Sequence, residues 1–371
     1  MHIAELVSRR PVPAAGVFLT LTRRCPLTCA HCSTNSMLDS EEHRAEIFRD
    51  FAGTFSVEEH PEIVFLTGGE PLLRPDLVHE IVRSAHAAGA KVALITGLYF
   101  ARRDGRIPHR LADALLAVDH VVASQDVFHE VQVPREAAFA TVRTLVEAGQ
   151  DVSFQVVGEG PDDPYLAELT SQIRRDFDDA VPALVAQLGP VGRGKDLPWA
   201  ASRPGPAGHL DERLATPPEP SPCTVAAWPV VTFDGGVVAC CRQEVVDGPA
   251  PRHLHLGRAP TTSWPEVARK VREGAMLRAL RTVGPEALVH ESGGRQSAKG
   301  YCGTCAGMAT DRRVIATVES MLARPTFPLV ESQITEMQVA AGPESFARRY
   351  GIAPYAHMLT LGLRPATAGT R

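Results

Sequence analysis

Short apolar runs alternate with amphipathic stretches over the first half of the chain. Six runs have the length and the β-branched content of buried strands: 17–19, 63–66, 92–95, 121–123, 152–157 and 184–186. Helix-like segments lie between them, at about 40–55, 75–89, 110–117, 134–149 and 164–177. This alternation predicts right-handed βαβ units and a parallel sheet, either open or curled toward a barrel. Ligands of such folds bind beyond the carboxyl ends of the strands.

The pattern changes at residue 189. Residues 189–222 contain eight prolines and five glycines, too many for a continuous helix or a central strand, and they predict a linker. Two apolar runs then flank Asp234-Gly235-Gly236 and predict a hairpin. A helix is predicted over about 264–281, and more helix after Cys305. The predicted order is an α/β domain (1–188), a linker (189–222), a smaller α+β domain (223–310) and a C-terminal helical extension (311–371).

Composition and charge narrow the choice of partners. The 371 residues are 44% hydrophobic and 22% charged, as in a soluble globular chain large enough for two domains. A net charge of -5 gives no electrostatic footprint for nucleic acid or anionic lipid, and no apolar run approaches the roughly 18 residues of a membrane span. We therefore expect no nucleic-acid and no membrane partner. Eight clustered cysteines favour metal or redox chemistry in a reducing cytoplasm, where we predict the protein to reside.

Three cysteines are concentrated where the first strand leads into a loop. Residues 25–32 read C-P-L-T-C-A-H-C, which places Cys25, Cys29 and Cys32 in a C-x3-C-x2-C spacing. Three thiolates within eight residues can surround one metal centre and leave a coordination position open. A zinc knuckle that uses the same cysteines with His31 is the alternative that this motif leaves open.

A second motif directly follows the second strand, where residues 67–71 read T-G-G-E-P. Gly68 and Gly69 let the backbone approach a ligand closely, and the carboxylate of Glu70 beside them can receive an ammonium group. Pro71 completes the motif. The turn therefore predicts a second ligand-binding element at the same sheet edge as the cysteines.

Together the two motifs resemble those of the radical S-adenosylmethionine (SAM) superfamily. The resemblance implies a partial (β/α)6 TIM-like barrel. It implies that the C-x3-C-x2-C cysteines hold three irons of a 4Fe-4S cluster, whose fourth iron is chelated by SAM. It further implies that residues 68–71 hold the methionine amino group of SAM.

Weaker similarities to the same family lie farther along the sheet. Ser124 and Asp126 end the fourth strand and are similar to a Ser-x-Asp whose polar side chains reach the ribose of SAM. His31 stands where the family usually has an aromatic residue that borders the adenine, and an imidazole can stack there. His129 and Glu130, just beyond the fourth strand, could face a substrate.

A rival motif lies at residues 189–195, which read G-P-V-G-R-G-K and fit the spacing of a phosphate-binding loop. Asp196 follows where a Ser or Thr would ligate magnesium, and Pro198 obstructs the helix that would bind phosphate. We therefore reject nucleoside triphosphate binding. The segment instead resembles the Gly- and Arg-rich exit from strand six in radical SAM enzymes with a C-terminal cluster domain.

A second set of cysteines occupies the C-terminal half. Cys302 and Cys305 form a C-x2-C pair, while Cys223 and Cys240 bracket the predicted hairpin. Four thiolates suit either zinc or a fully ligated iron-sulfur cluster, and spacing alone does not separate them. The arrangement resembles the twitch domain, a shortened SPASM domain, which implies a second, auxiliary 4Fe-4S cluster. Cys241 is left over, as an inert thiol or as a catalytic hydrogen-atom donor like that of radical SAM epimerases.

The resemblance implies an enzyme that reductively cleaves SAM and uses the 5'-deoxyadenosyl radical to abstract hydrogen, with an electron donor such as ferredoxin or flavodoxin. We expect a small-molecule substrate, namely oxidation or epimerisation of a sugar, aminocyclitol or related metabolite in natural-product biosynthesis. The enzymatic alternative is maturation of a ribosomally made peptide, although only 24 residues precede Cys25, too few for a leader-binding domain. The alternative of another class is a zinc-stabilised binding protein without catalysis.

Overall fold

The computed structural model describes residues 1–102, 104–198, 219–297 and 299–363. Within them one sheet has the strand order β6-β5-β4-β3-β2-β1-β7-β8-β9. Its strands are β1 Gly16–Thr20, β2 Ile63–Thr67, β3 Lys91–Thr96, β4 His120–Ser124, β5 Val152–Gly158, β6 Ala183–Gln187, β7 Val230–Val231, β8 Gly236–Val238 and β9 His255–Arg258. The six strands predicted in the first half are all present.

Strands β1 to β6 are parallel neighbours in sequence order, so their carboxyl ends share one edge of the sheet. Gly16 pairs with Ile63 and Thr20 with Thr67, and the later strands continue without a change of direction. The mixed α/β architecture with a parallel sheet of six strands confirms the predicted fold class, a partial barrel. Every loop that carries a predicted motif of the first half therefore emerges at this edge.

Helices connect the parallel strands and cover their outer face. Helix α3 shows why they form. Its apolar residues recur at helical spacing and are buried, and Gly89 ends it at φ 101°, a left-handed conformation that glycine adopts without strain. The N-terminal helices are α1 Ile3–Ser8, α2 Glu46–Ala52, α3 Pro75–Ala88, α4 His109–Ala117, α5 Val127–Glu130, α6 Arg135–Glu147 and α7 Pro164–Asp176.

A smaller apolar cluster fills the inner face of the curled sheet. The ring of Phe18 lies 5.3 Å from that of Phe65 and 5.8 Å from that of Trp228. Arg10 is 3% exposed, and its guanidinium lies 4.6 Å from the centre of the Trp228 ring. Helix α1, which the sequence pattern did not predict, packs on the same cluster.

The C-terminal strands extend the same sheet. Strand β7 pairs in parallel with β1, through Phe18 and Val230, and then forms an antiparallel hairpin with β8, as predicted from the turn at residues 234–236. The division of the chain into domains stays a prediction. Residues 199–218 of the predicted linker and residues 364–371 of the C-terminal extension lie outside the described residues.

Helices dominate the rest of the C-terminal half. The helix predicted over 264–281 is two helices, because Gly274 leaves the helical conformation between them at ψ 115°. These helices are α8 Gln243–Asp247, α9 Trp264–Glu273, α10 Ala275–Thr282, α11 Pro285–Glu291, α12 Gly300–Gly307, α13 Arg312–Leu322, α14 Phe327–Ala340 and α15 Gly342–Tyr350. Among the described residues, no helix combines the length and apolar character needed to cross a membrane.

Candidate functional site

The C-x3-C-x2-C cysteines lie in the loop between β1 and α2. Cys29 is buried, whereas Cys25 and Cys32 are half-buried. The loop folds back on itself, because the Cys32 amide donates to the Cys29 carbonyl at 3.1 Å and the Cys25 amide donates to the Met37 carbonyl at 3.1 Å. The sequence therefore brings three thiols to one short loop at the carboxyl end of β1.

The kind of metal centre that these cysteines hold stays a prediction. Three cysteine thiolates can hold an iron-sulfur cluster, whereas tetrahedral zinc requires a fourth ligand such as His31. His31 Nε2 lies 3.2 Å from a carboxylate oxygen of Asp126.

The T-G-G-E-P turn lies directly against the chain that leads into the cysteine loop. The Gly69 amide donates to the Thr22 carbonyl at 2.7 Å. A Cβ on Gly68 would come within 2.4 Å of the Thr22 carbonyl oxygen, and one on Gly69 within 2.3 Å of the Arg24 carbonyl oxygen. Both glycines are therefore required for the close approach of two backbone segments. Pro71 is buried at the start of the short 3-10 helix that follows.

Glu70 is fully buried, and several donors hold its carboxylate. Oε1 accepts from the Leu72 amide at 3.1 Å, while Oε2 accepts from the Thr96 hydroxyl at 3.0 Å and from the Gly97 amide at 2.9 Å. Burial raises the pKa of Glu70 to about 7. Thr96 and Gly97, at the end of β3, therefore fix the carboxylate that the sequence singled out.

Asp126 is the centre of a buried polar group after β4. One carboxylate oxygen accepts from the Phe128 and His129 amides at 3.0 Å, which caps α5. The other lies 3.0 Å from His129 Nδ1 and 3.2 Å from His31 Nε2. Burial alone would raise the pKa of Asp126, but His129 holds it well below its usual range, and Asp126 raises the pKa of His129 to about 10. Asp126 therefore orients two imidazoles, and the contact with ribose that the resemblance implies stays a prediction.

His31 occupies a defined position through its ring. It stacks on the Phe128 ring at 4.6 Å with an interplanar angle of 18°. Its Nδ1 is buried without a hydrogen-bond partner among the described residues. Asp126 thus lies beside Nε2 of the imidazole, and Nδ1 is able to bind a further group.

The predicted motifs line one cavity of about 360 Å³ at the carboxyl ends of the strands. Its wall contains the three cysteines of the 25–32 loop, the turn at residues 67–70 and Ser124 at the end of β4. Cys241, from the C-terminal half, is exposed and lines the same cavity. The structure therefore brings the leftover thiol to the site formed by the N-terminal motifs.

The segments that carry the second cysteine set also meet. The Tyr301 hydroxyl donates to the Ser221 carbonyl at 2.6 Å, which places α12, with Cys302 and Cys305, against the segment that ends at Cys223. Burial raises the pKa of the Cys305 thiol to about 12.

Cys240, just after β8, approaches the same region beside the segment that leads into β9. The Ala239 amide donates to the Leu254 carbonyl at 2.8 Å, and the next residue back, His253, has Nε2 3.4 Å from the Cys305 sulfur. Burial raises the pKa of the Cys240 thiol well above its ordinary value. The segments that carry these four half-buried cysteines therefore lie close together.

Gln132, which follows β4 and α5, contacts the cysteine loop and was not predicted from the sequence. The Gln132 carbonyl oxygen accepts from the Thr28 amide at 2.8 Å, and its amide nitrogen lies 3.6 Å from the Cys29 sulfur. No local pattern connects positions 104 residues apart. The role of Thr96 and Gly97 could have been predicted, because they lie at the carboxyl end of β3, at the ligand-binding edge of the sheet.

Comparison with known proteins agrees with this arrangement. Residues 19–173 match the model of the radical SAM superfamily. The PqqA peptide cyclase of Ruegeria pomeroyi is 39% identical over 122 residues, 31% of this chain and 29% of that protein. The pre-heme d1 synthase of Dinoroseobacter shibae is 31% identical over 211 residues, 52% of this chain and 50% of that protein. The alignments thus span at most half the length of these relatives.

A solved structure of Streptococcus suis SuiB bound to S-adenosylmethionine shares the fold. The two chains superpose with a TM-score of 0.50 at 12% identity, over 80% of this chain and 78% of that one. The matched residues 19–173 contain the cysteine loop, the T-G-G-E-P turn and most of the parallel sheet. As predicted, residues 19–173 therefore match the radical SAM superfamily, whose cofactors are a 4Fe-4S cluster and SAM. The auxiliary cluster stays a prediction.

Proposed function

We propose that this radical SAM enzyme binds its 4Fe-4S cluster through Cys25, Cys29 and Cys32 and binds SAM between the cluster loop and Glu70. The observation that carries the proposal is the single cavity lined by all four of these side chains. The cysteine loop offers soft thiolate ligands, and the carboxylate offers a partner for an ammonium group.

A bound 4Fe-4S cluster would supply one electron, received from a donor such as ferredoxin or flavodoxin, for the cleavage of SAM to methionine and a 5'-deoxyadenosyl radical that takes hydrogen from a substrate. The protein's own residues position and enclose these partners. Glu70 keeps its carboxylate fixed by three hydrogen bonds, so an incoming ammonium meets an oriented acceptor. Asp126 holds His31 beside the cavity, where its ring can border the adenine, and Ser124 offers a hydroxyl for the ribose.

Cys241 is the residue that we assign to hydrogen transfer. Its thiol is exposed in the same cavity, and it is not one of the four half-buried cysteines of the second set. A thiol there can return a hydrogen atom to a substrate radical, after which an external reductant supplies an electron and a proton to the resulting sulfur radical. The four cysteines Cys223, Cys240, Cys302 and Cys305 would hold an auxiliary 4Fe-4S cluster.

The comparisons favour a peptide substrate over the expected sugar or aminocyclitol. One reported relative is named for cyclising a peptide, and the other is named for pre-heme d1; neither name contains a sugar. We therefore propose oxidation, cross-linking or epimerisation of a ribosomally made peptide.

Metal analysis and product mass test this proposal. Anaerobically reconstituted protein should contain roughly eight irons and eight sulfides per chain, the content of two 4Fe-4S clusters, with a broad visible absorption near 400 nm. A peptide substrate should lose two mass units on oxidation or cross-linking, or gain one deuterium in deuterated buffer on epimerisation. Stoichiometric zinc without sulfide would instead establish the non-catalytic zinc protein. Turnover of a sugar with the peptides unchanged would overturn the substrate assignment alone.

A further inference from the structure

The segment at residues 189–195, which resembles a phosphate-binding loop without meeting its requirements, lies against the cysteine loop. It leaves β6 and forms a short 3-10 helix over Gly192–Asp196. The Arg193 amide donates to the Cys32 carbonyl at 3.0 Å, and Arg193 Nε donates to the Cys29 carbonyl at 3.0 Å. Arg193, which follows β6, thus contacts the backbone of two of the three cysteines in the loop after β1.

The guanidinium of Arg193 also reaches beyond the cysteines. Its Nη1 donates to the Ser36 carbonyl at 2.9 Å and lies 3.4 Å from Asn35 Oδ1. Its Nη2 is buried beside the cavity without a partner among the described residues. Because the guanidinium is planar and presents donors in a fixed fork, these contacts fix the loop from Cys29 to Ser36 as a unit.

Gly192 is what allows this approach. It has φ 54°, in the left-handed region, and a Cβ on it would lie 2.2 Å from the Cys32 carbonyl oxygen and 2.3 Å from the Ser33 carbonyl oxygen. These are backbone atoms, which cannot move aside without moving the cysteine loop. Gly189 differs, because its added Cβ would meet only Val191, at an ordinary 3.6 Å.

We propose that Gly192 and Arg193 form a clasp that sets the conformation of the cysteine loop before any cofactor binds. Arg193 is a positioning residue that acts through the loop carbonyls, and the glycine and arginine of the G-P-V-G-R-G-K segment have this role in place of phosphate binding. The clasp consists of contacts within the chain. The proposal depends on the proposed function only because that function identifies the group bound by the loop as a 4Fe-4S cluster.

Hydrogen–deuterium exchange of the metal-free full chain tests the clasp without any cofactor. Amides in peptides covering residues 25–37 should exchange at least tenfold faster in Arg193→Met than in the wild type, because three side-chain bonds to the loop are lost. Strand β5 serves as the internal reference for a folded chain. Lys195→Met, which removes an exposed charge from the same segment, and Gly189→Ala should exchange like the wild type.

Arg193→Lys separates geometry from charge. It keeps the positive charge but lacks the fork, so its loop amides should exchange nearly as fast as those of Arg193→Met. Full protection in Arg193→Lys would show that charge alone is required and would overturn the clasp, as would wild-type exchange in Arg193→Met. Gly192→Ala should show faster exchange of the same peptides.

Anaerobic reconstitution then links the clasp to the cofactor. Arg193→Met should bind roughly half the wild-type iron, because the loop cluster is lost while the second set of cysteines is unchanged. Faster exchange together with a wild-type protein that binds no iron would leave the clasp standing and refute the proposed function. Iron binding in the wild type, with no exchange difference between the wild type and Arg193→Met, would refute the clasp and leave the proposed function standing.

Discussion

Thr96 Oγ1 donates a hydrogen bond of 3.0 Å to Glu70 Oε2, which joins the ends of two neighbouring parallel strands at the wall of the cavity. The carboxylate is therefore held in one orientation before a ligand arrives. Its pKa is raised to about 7 by burial, which makes a cationic partner favourable. This relationship leads to the first two predictions.

Replacement of Glu70 by Gln should weaken SAM binding without changing the iron content. The substitution removes a charge-assisted contact worth roughly 1.5 to 3 kcal/mol, which corresponds to about tenfold to a hundredfold in affinity. Equilibrium dialysis against the reconstituted protein measures it. Glu80→Gln, on the outer helix α3, is the matched control and should bind like the wild type. Unchanged affinity in Glu70→Gln would show that the carboxylate does not contact SAM.

Replacement of Thr96 by Val should also weaken SAM binding, but by less than replacement of Glu70. One of the three hydrogen bonds that orient the carboxylate is lost while its charge remains, so SAM affinity should fall by roughly twofold to tenfold, or about 0.5 to 1.5 kcal/mol. Thr96→Ser keeps the hydroxyl and should restore the affinity. If the serine variant binds as weakly as the valine variant, the defect comes from packing and the positioning role is wrong.

Replacement of Cys241 by Ala should separate SAM cleavage from product formation. If turnover in deuterated buffer places deuterium on a product carbon in the wild type, as epimerisation requires, the variant should lose this product while still forming 5'-deoxyadenosine. Liquid chromatography with mass spectrometry measures both. A variant that retains full labelling excludes Cys241 as the donor. A wild-type product that loses two mass units and carries no carbon-bound deuterium indicates oxidation or cross-linking instead.

Much of this site follows from local pattern. Apolar runs such as Ile63 to Leu66 lie between helix-forming stretches, so the parallel sheet and the edge at which its loops meet are predictable. The three cysteines lie within the eight residues 25–32 and the T-G-G-E-P turn within residues 67–71, each just after a strand, so both motifs can be recognised from their local spacing. Helix α1 was not predicted, because six residues are too few to show a clear period.

The supports of the site could not be predicted, because they are long-range. Gln132 reaches Thr28 across 104 residues, and Arg193 reaches Cys29 across 164 residues. The family resemblance implies that Asp126 lies at the ribose of SAM, and this stays a prediction. Its oxygens cap α5 and face two imidazoles, an arrangement that depends on the position to which another loop brings His31. Such contacts are decided by packing and leave no periodic trace in the sequence.

Acid should destabilise the protein through His120, which is buried below the barrel. Its nitrogens lie 2.9 Å from the Met1 carbonyl and 2.8 Å from the Ser153 hydroxyl, and burial lowers its pKa to about 4. The unfolded chain, with an ordinary pKa of about 6.5, binds this proton more readily, so stability is full above pH 6.5 and falls as the pH decreases toward 4. Between pH 7 and pH 5.5 the loss should be about 1 kcal/mol.

Thermal unfolding of wild type and His120→Asn at these two pH values measures this contribution. The variant should be less stable at pH 7, but its midpoint should fall less on acidification. An equal fall in both proteins would assign the pH dependence to other groups.

Formation of 5'-deoxyadenosine from SAM tests the central claim most directly. Reconstituted protein with dithionite and SAM under anaerobic conditions should produce 5'-deoxyadenosine and methionine in equal amounts, and Cys25→Ala, Cys29→Ala and Cys32→Ala should each abolish both products while retaining about half of the iron. Cleavage at the wild-type rate in any of the three variants would contradict the assignment of the cluster to this loop.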